Sequence, residues 1–108
     1  MIELTLEIAE TAVRAAQAKV RALRTPMTVT VVDEAGRLVL SARGDGTGFF
    51  SPETSRAKAM AAAAFKKRTA EFADLVAKGG RVIGAIGCGG GTGEQDQECA
   101  DAGAAALA

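Results

Sequence analysis

The 108-residue chain has no histidine, tyrosine or tryptophan, and phenylalanine supplies all four of its aromatic rings. Without histidine there is no serine–histidine or cysteine–histidine nucleophile, no histidine-ligated zinc, and no histidine-ligated haem supplied by this chain alone. Charge of one sign is also lacking. Thirteen basic and thirteen acidic residues cancel to a formal net charge of zero, which argues against nucleic acid or an acidic membrane surface as a partner. No apolar run is long enough to cross a membrane. Two cysteines, Cys88 and Cys99, lack metal-ligand spacing, and the opening MIELTLEIAE carries acids where a signal peptide carries a basic region. A cytoplasmic protein with reduced thiols is expected.

What the chain has in abundance is glycine, thirteen residues, five of them between 87 and 93. In VIGAIGCGGGTGEQD, residues 82–96, a short β-branched run reads as a buried strand. A glycine loop and a helix start follow: Thr92 with Gln95 resembles a capping box, and Glu94, Asp96 and Glu98 place acids in the first turn. Such a loop can hold an anion, or it can let a helix pack tightly on a sheet, and the residues alone leave both open. It is neither a P-loop nor a dinucleotide fingerprint, because no lysine follows Lys78 and no G-x-G-x-x-G can be read there.

Read in order, Leu6, Ala9, Val13, Ala16, Val20 and Leu23 mark one face of an opening helix with Thr5 as N-cap, and Pro26 stops it. Arg14, Lys19, Arg21 and Arg24 form a basic outer flank, read as a solvated face. A strand from Met27 to Val32, a turn over residues 33–36 and a return strand from Arg37 to Arg43 predict a hairpin, with Leu38, Leu40 and Ala42 on one face. After the glycine-rich loop 44–50, Ser51 as cap and Pro52 at the first position predict an alanine-rich helix to about Lys66 that approaches its neighbour closely. Thr69 is placed as cap of a short helix carrying Phe72, Leu75 and Val76, and a last helix covers residues 94–107. A chain of this size buries roughly two-thirds of its unfolded surface, so one domain, residues 1–108, is expected to be covered further by its own copies in a homo-oligomer.

The chain resembles the GlcG/HbpS-like proteins, whose domain also occurs at the C-terminal end of PduO-type cobalamin adenosyltransferases. The resemblance rests on LTLEIAE, VVDEAGRLV at 31–39, Arg43 with Asp45 and Gly46, KAMAAAAF at 58–65 followed by Thr69, and GAIGCGGGTGEQD with Ala100 and Gly103. It implies an α+β fold, an antiparallel sheet of three to five strands flanked by helices as in profilin and PAS domains, and a homo-oligomer. For some members it also implies association with haem, haem degradation or corrinoid-related ligands. The segment before the GAIG strand is shorter than the family pattern, so the loss of a strand and of one pocket wall is expected. Where the family commonly reads V-S-G after GAIG, this chain has Cys88, Gly89 and Gly90.

Two functional readings follow. In the first, the protein is an oligomeric binder of a small planar or anionic ligand, either haem- or corrinoid-like or a carboxylate or enolate metabolite. Arg43, Asp45, Cys88, Gly89, Gly90, Gly91 and Thr92, together with Lys58, would then line a glycine-loop pocket. In the second, it is a cofactor-independent acid/base enzyme of lyase or isomerase type, with Lys58 acting alongside Asp33 or Asp96. A third class, a structural or sensory accessory protein, stays open. Lys58 in its alanine-rich surroundings requires a carboxylate partner or a depressed pKa, and Asp33, Asp45 and Asp96 are the candidate partners. Asp33 also suits a turn acceptor, and Asp96 a helix cap. No metal site is expected.

Overall fold

The computed structural model describes residues 3–65, 72–76 and 80–107. The elements are α1 (Leu6–Leu23), β1 (Thr28–Asp33), β2 (Leu38–Arg43), α2 (Ser51–Phe65), β3 (Phe72–Val76), β4 (Val82–Gly89) and α3 (Gly93–Ala105). The strands form one antiparallel sheet in the order β2-β1-β4-β3, so the hairpin strand β1 and the glycine-rich strand β4 are the two central ones. This is the α+β architecture that the sequence implies.

The first helix begins where Thr5 Oγ1 accepts the Ile8 N–H at 3.1 Å and ends at Arg24 in the left-handed region. Its small residues Ala9, Ala12 and Ala16, with Val13, lie in one core together with Met27, Val29 and Val31 of the β1 segment, Ile86 and Cys88 of β4, and Cys99 and Ala100 of α3. Full burial of Val29, Val31 and Ile86 stabilises the fold by about 1.5–3 kcal/mol each. On the other sheet face, Val32 and Ala85 meet Ala59, Ala62 and Ala63 of α2. Both faces of β1 are therefore covered. Thr28 and Thr30 are buried because α2 brings hydroxyls to them, Thr30 Oγ1 lying 2.6 Å from Ser55 Oγ.

The close approach of α2 depends on glycine. A Cβ on Gly87 would lie 2.6 Å from Ala59 N and closer still to the Ser55 carbonyl oxygen, and one on Gly89 would lie 2.9 Å from Ser55 N. The helix backbone therefore rests directly on β4, as its alanine content predicts.

Three expectations are corrected. Phe72–Val76 is a strand, not a short helix; Thr69, its expected cap, lies outside the described residues. Five residues pairing with the otherwise open edge of β4 gain ladder hydrogen bonds that a single helical turn could not match. A strand is thus present between α2 and β4, where one was expected to be lost. Between β1 and β2, a register shift at Val31 and Val32 sets Leu38 opposite Val32 and leaves it 47% exposed, while Leu40 and Ala42 stay with the core.

Candidate functional site

The loop after β4 is held from three sides. Gly90 has φ +128°, open to glycine alone, and passes so near Pro26 that a Cβ would lie 2.7 Å from its carbonyl oxygen. The expected capping role of Ser51 is also corrected. Its Oγ donates to the Gly89 carbonyl at 2.6 Å and accepts the Thr28 N–H at 3.1 Å, so it ties α2 to β1 and β4 instead of capping its own helix. The Phe50 carbonyl takes the cap role by accepting the Thr54 N–H at 2.9 Å.

The capping box is present: Thr92 Oγ1 accepts the Gln95 N–H at 3.2 Å, and Gln95 Oε1 accepts the Thr92 N–H at 2.9 Å. Asp96, 2% exposed, accepts the Gly91 N–H on Oδ1 at 2.9 Å, and Lys58 Nζ donates to its Oδ2. Of the three candidate partners for Lys58, the fold thus brings up Asp96. The loop does cradle an anion, but that anion is the protein's own carboxylate. Two of the loop N–H groups proposed for a ligand are taken up inside the chain, and Thr92 serves as a cap.

Asp33 belongs elsewhere. Its Oδ1 accepts the N–H groups of Ala35 and Arg37 at 3.0 and 2.9 Å, and Arg37 Nε donates to its Oδ2 at 2.8 Å. Partial burial pushes the carboxyl pKa up, but the Arg37 N–H and guanidinium and the Ala35 N–H outweigh that and hold it below the ordinary value. It is a turn acceptor, and it is not assembled with Lys58 into an acid/base pair. Cys88 is fully buried in the α1/α3 core, and burial, with Cys99 and Asp96 nearby, raises its thiol pKa, so it is not a pocket thiolate. Cys99 is buried as well and is pushed up to about 11.

Arg43 and Asp45 remain on the surface, at the end of β2 and in the loop that follows. They line two neighbouring clefts. One, of about 600 Å³, is walled by Arg43, the loop 44–49, Pro52 and Glu53; the other, of about 520 Å³, lies between Arg43, Gly44 and Asp45 and the end of α1, with Arg21, Arg24 and Met27 on its walls. Neither Lys58 nor Asp96 lines either cleft. Phe49 and Phe50 stand 86% and 70% exposed with their rings edge to face, centroids 5.0 Å apart. In the sequence their only signal is an aromatic pair at the end of a glycine-rich loop, and Arg24 gives none beyond a basic helix end. Among the described residues no group of three or more acids and cysteines is placed to hold a metal, and no helix is long and apolar enough to cross a membrane.

Comparison with known proteins agrees with this architecture. An uncharacterized 15.0 kDa protein from the dhaT-dhaS intergenic region of Citrobacter freundii is 30% identical over 124 residues, covering 91% of this chain and 87% of that one. A crystal structure of a double mutant of Streptomyces reticuli HbpS superposes with TM-score 0.90 at 29% identity, over 100% of this chain and 89% of the other. The crystal structure of a PduOC:Heme complex shares the fold at TM-score 0.88 and 24% identity, over 98% and 96% of the two chains. The family described as haem degrading protein HbpS-like matches residues 4–80 and 75–105, two pieces that overlap over residues 75–80. The chain belongs to the HbpS-like family.

Proposed function

We propose that this protein binds a small planar molecule carrying carboxylates, with haem the first candidate, in the cleft between Arg43 and Phe49. The observation that carries the reading is the juxtaposition of an exposed guanidinium and an exposed aromatic ring on one cleft of ligand size, about 600 Å³. A ring system gains from lying against phenylalanine, and its carboxylates gain from arginine's paired donors. Membership of the HbpS-like family and the haem complex of a structural neighbour support haem in particular. The chain has no histidine and both thiols are in the core, so the affinity is assigned to the ring face and the carboxylates, not to the iron.

Absorbance titration of the purified chain with haem tests this. An equimolar shift of the Soret band is expected, with Arg43→Gln and Phe49→Ala each weakening binding about tenfold, as loss of a charge-assisted hydrogen bond or a buried ring contact would. No shift, or equal affinity in both variants, would remove the reading. We further propose that the protein works as a homo-oligomer, a reading supported by the exposed large apolar side chains Leu6, Leu38, Phe50 and Met60, which a second copy would cover. A monomer mass by light scattering at micromolar concentration would refute that.

A further inference from the structure

We propose that the second cleft, between the end of α1 and the end of β2, is a separate binding site for a small organic phosphate. Its walls carry three guanidiniums, Arg21 from the last turn of α1, Arg24 at its C-cap and Arg43 from the end of β2, about a floor that includes Val20, Pro26 and Met27. Among the described residues none of the three arginines makes an ion pair. The negative groups on that side are the Asp45 carboxylate and the carbonyl end of α1. Two of those carbonyls are occupied, Arg21 O by the Arg24 N–H at 3.2 Å and Leu23 O by the Thr25 hydroxyl at 3.4 Å. Three cations against one carboxylate leave a local excess of positive charge in a chain with none overall. Guanidinium forks match phosphate oxygens, and the apolar floor suits the organic part of a phosphate ester.

Arg24 supplies an independent observation. It sits at φ 56°, and among the described residues it is the one non-glycine with positive φ. At a helix C-terminus that conformation belongs to glycine or asparagine, and a side chain with a Cβ is strained there. Complementing the helix dipole would explain Arg21 and the charge of Arg24. It explains neither an arginine kept in a glycine conformation nor Arg43 arriving from another element. Residues held in such conformations cluster at functional sites, and this one stands beside a cleft.

The test is isothermal titration of the full chain, without haem, at low salt with phenyl phosphate and inorganic phosphate. Saturable one-to-one binding of phenyl phosphate is expected, tighter than inorganic phosphate, weakening as salt rises and falling about tenfold or more in Arg21→Gln and in Arg24→Gly. Because glycine suits the Arg24 backbone, Arg24→Gly is expected to melt at the parent temperature or above, so that its loss of binding is not unfolding. Arg56→Gln, an exposed arginine on α2 outside both clefts, controls for general charge. The proposal is overturned by absence of saturable binding, by equal affinity in Arg24→Gly and the parent, or by an equal loss in Arg56→Gln. With haem absent, failure of the haem reading leaves this result intact, and the converse also holds.

Discussion

Replacing Lys58 by methionine would leave the Asp96 carboxylate, whose side chain is 3% exposed, without the ammonium that compensates it. Were that carboxylate in water the loss would be small, since exposed pairs contribute under about 1 kcal/mol. Removing one member of a buried pair instead costs about 3–5 kcal/mol, because the remaining charge keeps its desolvation penalty. The burial of Asp96 selects the second case, and the Gly91 N–H, its other described donor at 2.9 Å, is a neutral group that cannot replace the charge. Against a total stability on the order of 5–15 kcal/mol this is a large share, and at roughly 4–8 °C per kcal/mol for a domain near this size the midpoint should fall by about 12 °C or more. Thermal melts followed by circular dichroism would read it. The double variant Lys58→Met/Asp96→Asn removes both charges yet keeps an amide oxygen for Gly91, and should recover to within about 1–2 kcal/mol of the parent. A single variant melting within about 3 °C of the parent, or a double variant no better than the single, would refute the buried-pair reasoning.

Gly87→Ala should destabilise by about 1–3 kcal/mol in chemical denaturation, because its Cβ would press on the backbone of α2 at Ser55 and Ala59, which cannot move aside like a side chain. An unchanged midpoint would mean that α2 has room to shift. Asp33, held below its ordinary pKa of 3.8, contributes stability that is present above that value and is lost as pH falls through the lower folded one. Asp33→Asn should therefore lie below the parent at neutral pH and converge with it in strong acid; a gap that widens on acidification would contradict the sign. Both thiols are buried with raised pKa values, so neither Cys88 nor Cys99 should react with a thiol reagent at pH 8 until the chain is unfolded. Rapid stoichiometric labelling of native Cys88 would return it to a pocket.

Much of the fold is legible because the local signals agree with one another. The Thr5 cap, the 3.6-residue period that ends at Leu23, and the Thr92 and Gln95 capping box all reappear in the structure close to their expected places. Phe72–Val76 fails for a definable reason. Phe72, Leu75 and Val76 fit a helical spacing of three and four, and five residues are too few to set that against strand alternation. What decides it is the free edge of β4, which no local pattern reports. Glycine is ambiguous in the same way. The run 87–93 is consistent with a ligand cradle and with close packing, and the choice comes from α2 resting on Gly87 and Gly89 and from Pro26 and Met27 crowding Gly90 and Gly91.

The site shows the same limit more sharply. Lys58 in an alanine-rich helix announces that it needs an acid, and three acids qualify by type; only tertiary position brings Asp96 to it while Asp33 closes its own turn. Once that pair forms, the loop N–H of Gly91 and the charge of Lys58 compensate an internal carboxylate, and the binding chemistry must be sought where cations have no such partner. That search leads to Arg43, which residue type alone places beside Lys58 at one pocket and which the fold separates from it. Arg43 stands at the end of an edge strand whose register is shifted by a bulge, and its neighbours Arg24 and Phe49 come from a helix end and a loop, the parts of a chain least fixed by periodicity. A left-handed arginine cannot be read from a sequence, because nothing in the residue type signals φ 56°. Helix ends and loops are where backbone conformation is set by what surrounds them. For this chain they are also where Arg24 and the exposed rings of Phe49 and Phe50 stand.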